Sequence, residues 1–382
     1  MGHIRIGIVV GEVSGDQLGA GLIRALKAQN PASVAEGVAG QAMREAGCEV
    51  WEDAGTLAVM GLVEPIRVLP RLLRLRRSLI DRWTANPPDV FVGVDAPDFN
   101  LGLEQALRRR GITTVHYVSP TVWAWRRGRV RKVAKAADLV LCIFPFEEKF
   151  YRQHDVAAKF VGHPLADGID TGADIDALKS ELGLTAEHVV AVMPGSRSNE
   201  IVRLGPVFAG ACARLVDRYP NLQFVSPMVT PGLREVFETQ IRKAGVEQRV
   251  RLIDRKAEAA IMAADVVLLA SGTASLQAAL CGRPMVAAYK VSPLTHLLYR
   301  WFRLVKVEHF AMPNLLTDEP MVPEFLQDEA TPEALSAAVS ELLDDRRRRA
   351  RIERKFAALR AELARDAQQQ AAKAILELVD RA

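Results

Sequence analysis

Val189-Val-Ala-Val-Met-Pro-Gly-Ser-Arg-Ser-Asn-Glu200 is a short apolar, β-branched run that stops at Pro194-Gly195 and resumes as a helical pattern. An apolar run of this length without polar alternation suits a parallel strand covered on both faces. Pro and Gly break it, and Ser196, Arg197 and Ser198 fall where a helix begins. A strand that feeds a helix through a glycine turn is half of a βαβ unit, and the pattern recurs along the chain. Further strands are expected at Ile4–Val10, Val90–Val94, Thr113–Val118, Leu139–Phe144, Gln223–Ser226, Val250–Ile253, Val266–Leu269 and Met285–Tyr289. Helical stretches at Leu18–Gln29, Leu103–Arg110, Val202–Tyr219 and Leu233–Ala244 lie between them. This alternation predicts an α/β fold of doubly wound, Rossmann-like sheets.

A chain of 382 residues is long for one core, and at ~100–200 residues per domain it suggests two. Gly and Asp cluster from Val161–Gly168 to Asp176, before the next strand, so the expected domains are 1–165 and 166–330. From Thr331 the pattern is purely helical, giving a tail over 331–382 that packs back on the first domain or on a partner subunit. Hydrophobic residues at 49% and charged residues at 25% are the balance of a globular protein, which excludes disorder. The net charge of +4 is too weak a bias to point to nucleic acid. Cys48, Cys142, Cys212 and Cys281 lie far apart with no Cys-x-x-Cys spacing, a pattern that favours a reducing, cytoplasmic compartment over disulfides. Val266–Gly282, the longest charge-free run, carries Ser, Gly and Thr in its middle, unlike a lipid-facing span. The expectation is a soluble or at most peripheral protein.

In open α/β sheets ligands bind where strands end, so the residues after each strand carry the functional reading. Gly11-Glu-Val-Ser-Gly-Asp16 follows the first strand, with glycines for a tight turn and Ser14 or Asp16 as helix caps. No Gly-x-Gly-x-x-Gly follows a strand and no Gly-Lys-Ser/Thr occurs, so dinucleotide and P-loop motifs lack their main support. In the second half, Gly195-Ser196-Arg197 and Ser271-Gly272-Thr273-Ala-Ser275 each put glycine, hydroxyls and backbone N–H groups at a helix N-terminus. That arrangement binds phosphate through donors and the helix dipole, and Arg197 adds a guanidinium fork. Val90–Val94 delivers Asp95 at its end, followed by Asp98 and Asn100. Asp95 is the better candidate for a base, whereas Asp98 or Asn100 suits a helix cap. No further ligand cluster accompanies the two carboxylates, so no metal is expected.

Three stretches of the first half, Gly11–Asp16, Gly93-Val-Asp-Ala-Pro-Asp-Phe-Asn100 and His116-Tyr-Val-Ser-Pro-Thr-Val-Trp-Ala-Trp-Arg126, closely resemble those of lipid-A-disaccharide synthases. Gly162-His-Pro, Pro194-Gly-Ser-Arg197, Ala270-Ser-Gly-Thr-Ala-Ser275 and Pro313-Asn-Leu-Leu316 continue the likeness over nearly the whole chain. The resemblance implies the GT-B fold, in which two Rossmann-like domains face a cleft, with the acceptor on the first domain and the UDP-sugar on the second. It implies an inverting, cofactor-free glycosyltransferase of lipopolysaccharide biosynthesis. The reaction would join UDP-2,3-diacylglucosamine to 2,3-diacylglucosamine 1-phosphate through a β-1,6 linkage and release UDP. On this reading Asp95 is the base, with Glu12 and Asp98 beside it as catalytic residues. Ser14, Asp16, Glu200 and Asn314 contact substrate. Gly195, Ser196, Arg197, Ser271, Gly272, Thr273, Ser275 and Gln277 bind UDP. Gln277 stands where relatives usually carry Glu; its carbonyl oxygen still accepts a hydrogen bond, without the assistance of a charge. The alternatives are another GT-B UDP-sugar enzyme, an epimerase or transferase, and a non-catalytic nucleotide-binding protein. The long first-domain match speaks against the former, and Asp95 together with Arg197 against the latter.

Two stretches bear on membranes. At helical spacing Leu69, Leu72, Leu73, Leu75, Leu79, Ile80 and Trp83 gather on one side and Arg71, Arg74, Arg77 and Arg82 on the other, with Arg76 among the apolar residues. This fits either a core-facing helix or an interfacial one that meets anionic lipid. Leu297–Lys306 similarly mixes Tyr299, Trp301 and Phe302 with Arg300, Arg303 and Lys306. Trp123 and Trp125 are read as core residues, with a sugar- or acyl-facing role as the alternative. The run Arg346–Arg349 has no interleaved aromatics and reads as a solvated helix face. The expected partners are thus the two lipid substrates and the inner face of the cytoplasmic membrane, with a homodimer through the C-terminal helices as a further option.

Overall fold

The computed structural model describes residues 2–58, 65–120, 130–291 and 309–381. Trp123, Trp125 and Leu297–Lys306 lie outside the described residues. The chain forms two compact units, one of Met1–Asp167 with Leu363–Ala382 and one of Gly168–Glu362.

In the first unit seven strands are numbered in chain order: β1 Arg5–Val10, β2 Val34–Ala39, β3 Cys48–Asp53, β4 Val90–Val94, β5 Thr113–Tyr117, β6 Leu139–Cys142 and β7 Ala158–Phe160. They form a parallel sheet in the order β3-β2-β1-β4-β5-β6-β7. Every residue of β4 is buried, because helices cover both faces. On one face the helices Val13–Gln29 and Ala367–Val379 supply Leu22, Ile23, Leu26, Ile375 and Leu376. On the other, Pro65–Ala85 and Pro97–Arg108 supply Leu72, Leu79, Trp83, Phe99, Leu103 and Leu107. Trp83 reaches the sheet because β1 carries Gly7 there; a Cβ at that position would sit 2.9 Å from the indole ring. Trp83 also meets Phe91 edge-on at 5.0 Å.

In the second unit β8 His188–Met193, β9 Leu222–Met228, β10 Val250–Asp254, β11 Val266–Ala270, β12 Met285–Tyr289 and β13 Glu324–Leu326 make a parallel sheet ordered β10-β9-β8-β11-β12-β13. Both sheets therefore reverse direction of winding beside their first strand. The α/β, doubly wound expectation holds in each unit.

The helical end is shared between the units. Pro332–Asp344 packs on the helix Ser198–Arg218, where Arg218 reaches Asp344 at 2.6 Å and Arg214 pairs with Glu333. The last helix, Ala367–Val379, lies instead on Val13–Gln29 of the first unit. Its N-terminus is capped by the Asp167 carboxylate, which accepts from the backbone N–H of Asp366 at 2.9 Å and Ala367 at 2.6 Å.

Candidate active site

A doubly wound sheet opens its ligand crevice at the carboxyl ends of the two central strands, where the winding reverses. Those strands are β1 and β4 in the first unit and β8 and β11 in the second.

In the first unit β1 runs into Gly11 and β4 into Asp95. A Cβ at Gly11 would fall 2.6 Å from that of Ala96, so glycine lets the two turns close on one another. Asp95 and Ala96 both adopt left-handed backbone, with φ of 49° and 44°. For non-glycine residues such strain costs about 1–3 kcal/mol each and persists only where neighbours over-determine it. Here the Asp95 N–H donates to the Tyr117 carbonyl at 2.8 Å. The Asn100 side chain, fully buried, donates to the Asp95 carbonyl at 2.8 Å, with the Val9 and Val94 carbonyls at 3.3 Å. Asn100 thus ties the ends of β1 and β4 together, a role that a helix cap does not describe. Asp95 remains partly exposed, while Asp98 in the first turn of the next helix is exposed.

Glu12 and Ser14 stand exposed on the β1 turn. Asp16 is buried, and its carboxylate accepts from the backbone N–H of Gly40 at 2.8 Å, Ala42 at 2.9 Å and Met43 at 3.2 Å. It caps the short helix Gln41–Glu45.

Behind Asp95 lies a pair that sequence reasoning missed. His116 on β5 and Glu104 on the helix Pro97–Arg108 are fully buried, with Nδ1 and Oε1 2.7 Å apart. Glu104 follows the apolar Phe99, Leu103, Leu107 spacing by one position and falls one turn after Asn100. That inward placement was the available signal.

In the second unit Leu269 of β11 is the register partner of Met193 of β8, which sets the two phosphate-type turns side by side. Gly195 has φ of 127°, and a Cβ there would lie 2.5 Å from that of Glu200. Glu200 Oε2 accepts from the backbone N–H of Ser196 at 3.0 Å and Arg197 at 3.3 Å, and Oε1 holds the Arg197 guanidinium at 3.1 Å. The Arg197 side chain is 80% exposed at the N-cap of a 21-residue helix. At the other turn a Cβ on Gly272 would meet nothing within 4 Å, which leaves open space beside the backbone. Thr273 is exposed, and Gln277 one turn on is partly so. Ser271 Oγ donates to the Phe310 carbonyl at 3.1 Å. Ser275 is buried and donates to the Gly272 carbonyl at 2.8 Å, bracing the turn from inside. Asn314 is buried too: its carbonyl oxygen accepts from the N–H of Met321 at 2.7 Å and Val322 at 2.9 Å, and its amide donates to the Val322 carbonyl at 2.8 Å. Within this unit the exposed members of the candidate set are therefore Ser196, Arg197, Gly272 and Thr273, with Glu200, Ser275 and Asn314 holding the loops that present them.

The family model for lipid-A-disaccharide synthetase matches residues 6–379. A lipid-A-disaccharide synthase of Xanthomonas campestris pv. campestris is 48% identical over 377 residues, covering 98% of this chain and 86% of the relative. Among solved structures, a putative UDP-N-acetylglucosamine 2-epimerase from Listeria monocytogenes superposes with a TM-score of 0.64 at 14% identity, over 98% of this chain and 95% of that one. A calicheamicin glycosyltransferase gives 0.63 at 15% identity, over 100% of this chain and 99% of that one. At such identities the structures bear on the fold alone, and that fold is GT-B. The sequence match is of another order, since it takes in the turns of both units at nearly one identical residue in two: the chain belongs to the lipid-A-disaccharide synthase family.

Proposed function

We infer that this glycosyltransferase forms the lipid A disaccharide, and we propose that it does so by inverting transfer from UDP-2,3-diacylglucosamine to 2,3-diacylglucosamine 1-phosphate. The observation that carries this reading is the family match across both units, together with phosphate-type turns beside β8 and β11.

In the proposed step the Asp95 carboxylate takes the proton of the acceptor 6-hydroxyl while that oxygen bonds to C1 of the donor sugar. The bond from C1 to the diphosphate breaks on the opposite face, and its electron pair leaves with UDP. The departing diphosphate gains charge, which donors already in place stabilise best. Arg197, the backbone at Gly195, Ser196, Ser271 and Gly272, the Thr273 hydroxyl and two helix N-termini are suited to that task. Gln277 is assigned to the ribose. Glu12 and Asp98 are assigned to catalysis beside Asp95, and Ser14 to the acceptor. Asp16, Glu200, Ser275 and Asn314 serve by fixing the loops, as their hydrogen bonds indicate.

A peripheral attachment to anionic membrane belongs to the same proposal. Leu69 and Leu73 on Pro65–Ala85 are 52% and 49% exposed beside exposed Arg71, Arg74 and Arg77, while Leu72, Leu79 and Trp83 face the core. That split supports a helix which packs by one edge and offers the other to lipid. No helix among the described residues is long and apolar enough to cross a membrane.

A product assay with a panel of UDP-sugars and acylated acceptors tests the reading. UDP and a disaccharide phosphate are expected only when both partners are diacylated. Epimerised UDP-sugar with no acceptor present would point instead to an epimerase.

A further inference from the structure

Arg76 fits neither surface of the helix Pro65–Ala85. Helical spacing puts it in one row with Leu69 and Leu73, which are exposed, yet its own side chain lies against the helix Pro97–Arg108. Its Nη2 donates to the Asp98 carbonyl at 3.2 Å, and the guanidinium stands over the Phe99 ring, 5.1 Å from the centroid. A Cβ at Gly102 would fall 2.6 Å from Nη1, so glycine leaves room for the fork on that helix. Nε is buried and has no hydrogen-bond partner. Among the described residues no carboxylate pairs with the guanidinium either; burial acts on its charge and pulls it below the usual arginine value. A partly buried cation without a counter-charge costs stability that an apolar residue in the same place would not.

Asp98 sits in the first turn of the helix that follows Asp95, at the ligand end of β4. The 6-hydroxyl and the 1-phosphate of a hexosamine phosphate stand across one sugar ring, so an anchor for the phosphate belongs a ring's width from the base. We propose that Arg76 binds the 1-phosphate of the acceptor. The inference rests on Asp95 being the base and on the acceptor being an acylated sugar phosphate. A guanidinium offers five N–H donors in a fixed fork that matches phosphate oxygens, and the Asp98 carbonyl engages only part of it. The phosphate supplies the missing counter-charge. Leu73 and Leu69, three and seven residues earlier in the same row, are exposed beside it. A cation that ends an apolar row suits an amphiphile whose phosphate and acyl chains leave the same ring. Lipid headgroups are the business of Arg71, Arg74 and Arg77, which are exposed, whereas Arg76 is drawn in toward the turn that carries Asp95.

Steady-state kinetics on the full chain, in neutral detergent free of anionic lipid, test this with two acceptors: 2,3-diacylglucosamine 1-phosphate and the same molecule without its phosphate. The wild type is expected to use the phosphate-free acceptor about 10- to 100-fold less well in kcat/KM, the worth of charge-assisted hydrogen bonds. Arg76→Gln is expected to show that same loss on the phosphorylated acceptor and no further loss when the phosphate is removed. The loss should fall on the acceptor's KM, with the donor's KM unmoved. Arg76→Lys, which keeps the charge without the fork, is expected between the two. Equal losses on both acceptors in Arg76→Gln mean that the contact with Asp98 is structural only and overturn the proposal. So does a variant that discriminates as the wild type does but binds anionic vesicles less, since the guanidinium then serves a lipid headgroup. Should Arg76→Gln fail to fold, Arg76→Lys carries the comparison. No disaccharide from either acceptor with the wild type would sink the acceptor reading itself, whatever Arg76 does.

Discussion

Asp95 and Arg197 show how far single residues disclose their work. Both were marked in sequence as candidates, Asp95 because it directly follows an apolar strand and Arg197 because it falls at the start of the helix after another, places at the ligand end of a parallel sheet. Their supports were not. Asp16 is engaged by amides 24 to 27 residues downstream, and Asn314 by amides seven and eight residues away. Turn chemistry marks such residues as important without saying whether backbone or ligand takes their oxygens. Glu104 and His116 were harder still, since a helix-to-strand contact leaves no spacing rule behind. The Arg197 side chain is largely exposed and pairs at the surface with Glu200, a contact of little weight for stability, so the proposed UDP role is separable from a structural one. Arg197→Ala is expected to weaken UDP binding about 10- to 100-fold, as loss of charged hydrogen bonds would, with the thermal midpoint unchanged. Calorimetric titration with UDP and a melting curve check it; a large loss of stability at unaltered affinity would count against the assignment.

Among elements, the strands read correctly were those with continuous Val, Ile and Leu, such as β4, β8 and β11. The ones missed were β2, rich in Ala and Gly, β3, an edge strand with three carboxylates, and the three-residue β7 and β13. Edge strands satisfy fewer packing demands, so their sequences carry less pattern. The helix Pro65–Ala85 taught a different lesson. Its apolar stripe was legible, but the stripe serves two surfaces: Leu72, Leu79 and Trp83 are buried, and Leu69 and Leu73 are not. Periodicity alone does not separate a core face from an interfacial one. Co-sedimentation with vesicles containing anionic lipid is expected to fall when Leu69 and Leu73 become Ser, and to weaken with salt when Arg71, Arg74 and Arg77 are intact. Binding that ignores salt and both sets of substitutions would refute the interfacial role.

For the whole molecule the alternation of strands and helices was enough to expect two doubly wound sheets, and both are present. The division of the helical end was not readable. Between Leu363 and Ala367 the sequence shows neither Gly nor Pro, and the turn is made by Asp366 with φ of 57°. The return segment is fastened near His163, whose N–H donates to the Leu363 carbonyl at 2.8 Å. Burial depresses the His163 imidazole to about 4, and its Nδ1 accepts from the Leu165 N–H at 3.2 Å. In the unfolded chain the ring takes its proton near the ordinary value of about 6.5. Above that pH both states are neutral and the stability is fully present. As pH falls toward 4 the unfolded chain binds the extra proton, and about 1.4 kcal/mol is lost per unit. The thermal midpoint is therefore expected to drop between pH 6.5 and 4, and His163→Asn, which keeps an acceptor for Leu165, to flatten that drop. An equal slope in the variant would show that other groups govern acid stability.

The central claim is that a carboxylate in the first unit takes the acceptor proton while the second unit holds UDP. Asp95→Asn, given both diacylated substrates and followed by UDP release and by UDP affinity, addresses it most directly. The account predicts UDP bound as in the wild type and turnover lowered at least about 100-fold, the usual contribution of a general base. Near-normal turnover, or lost UDP affinity in a folded variant, would contradict it.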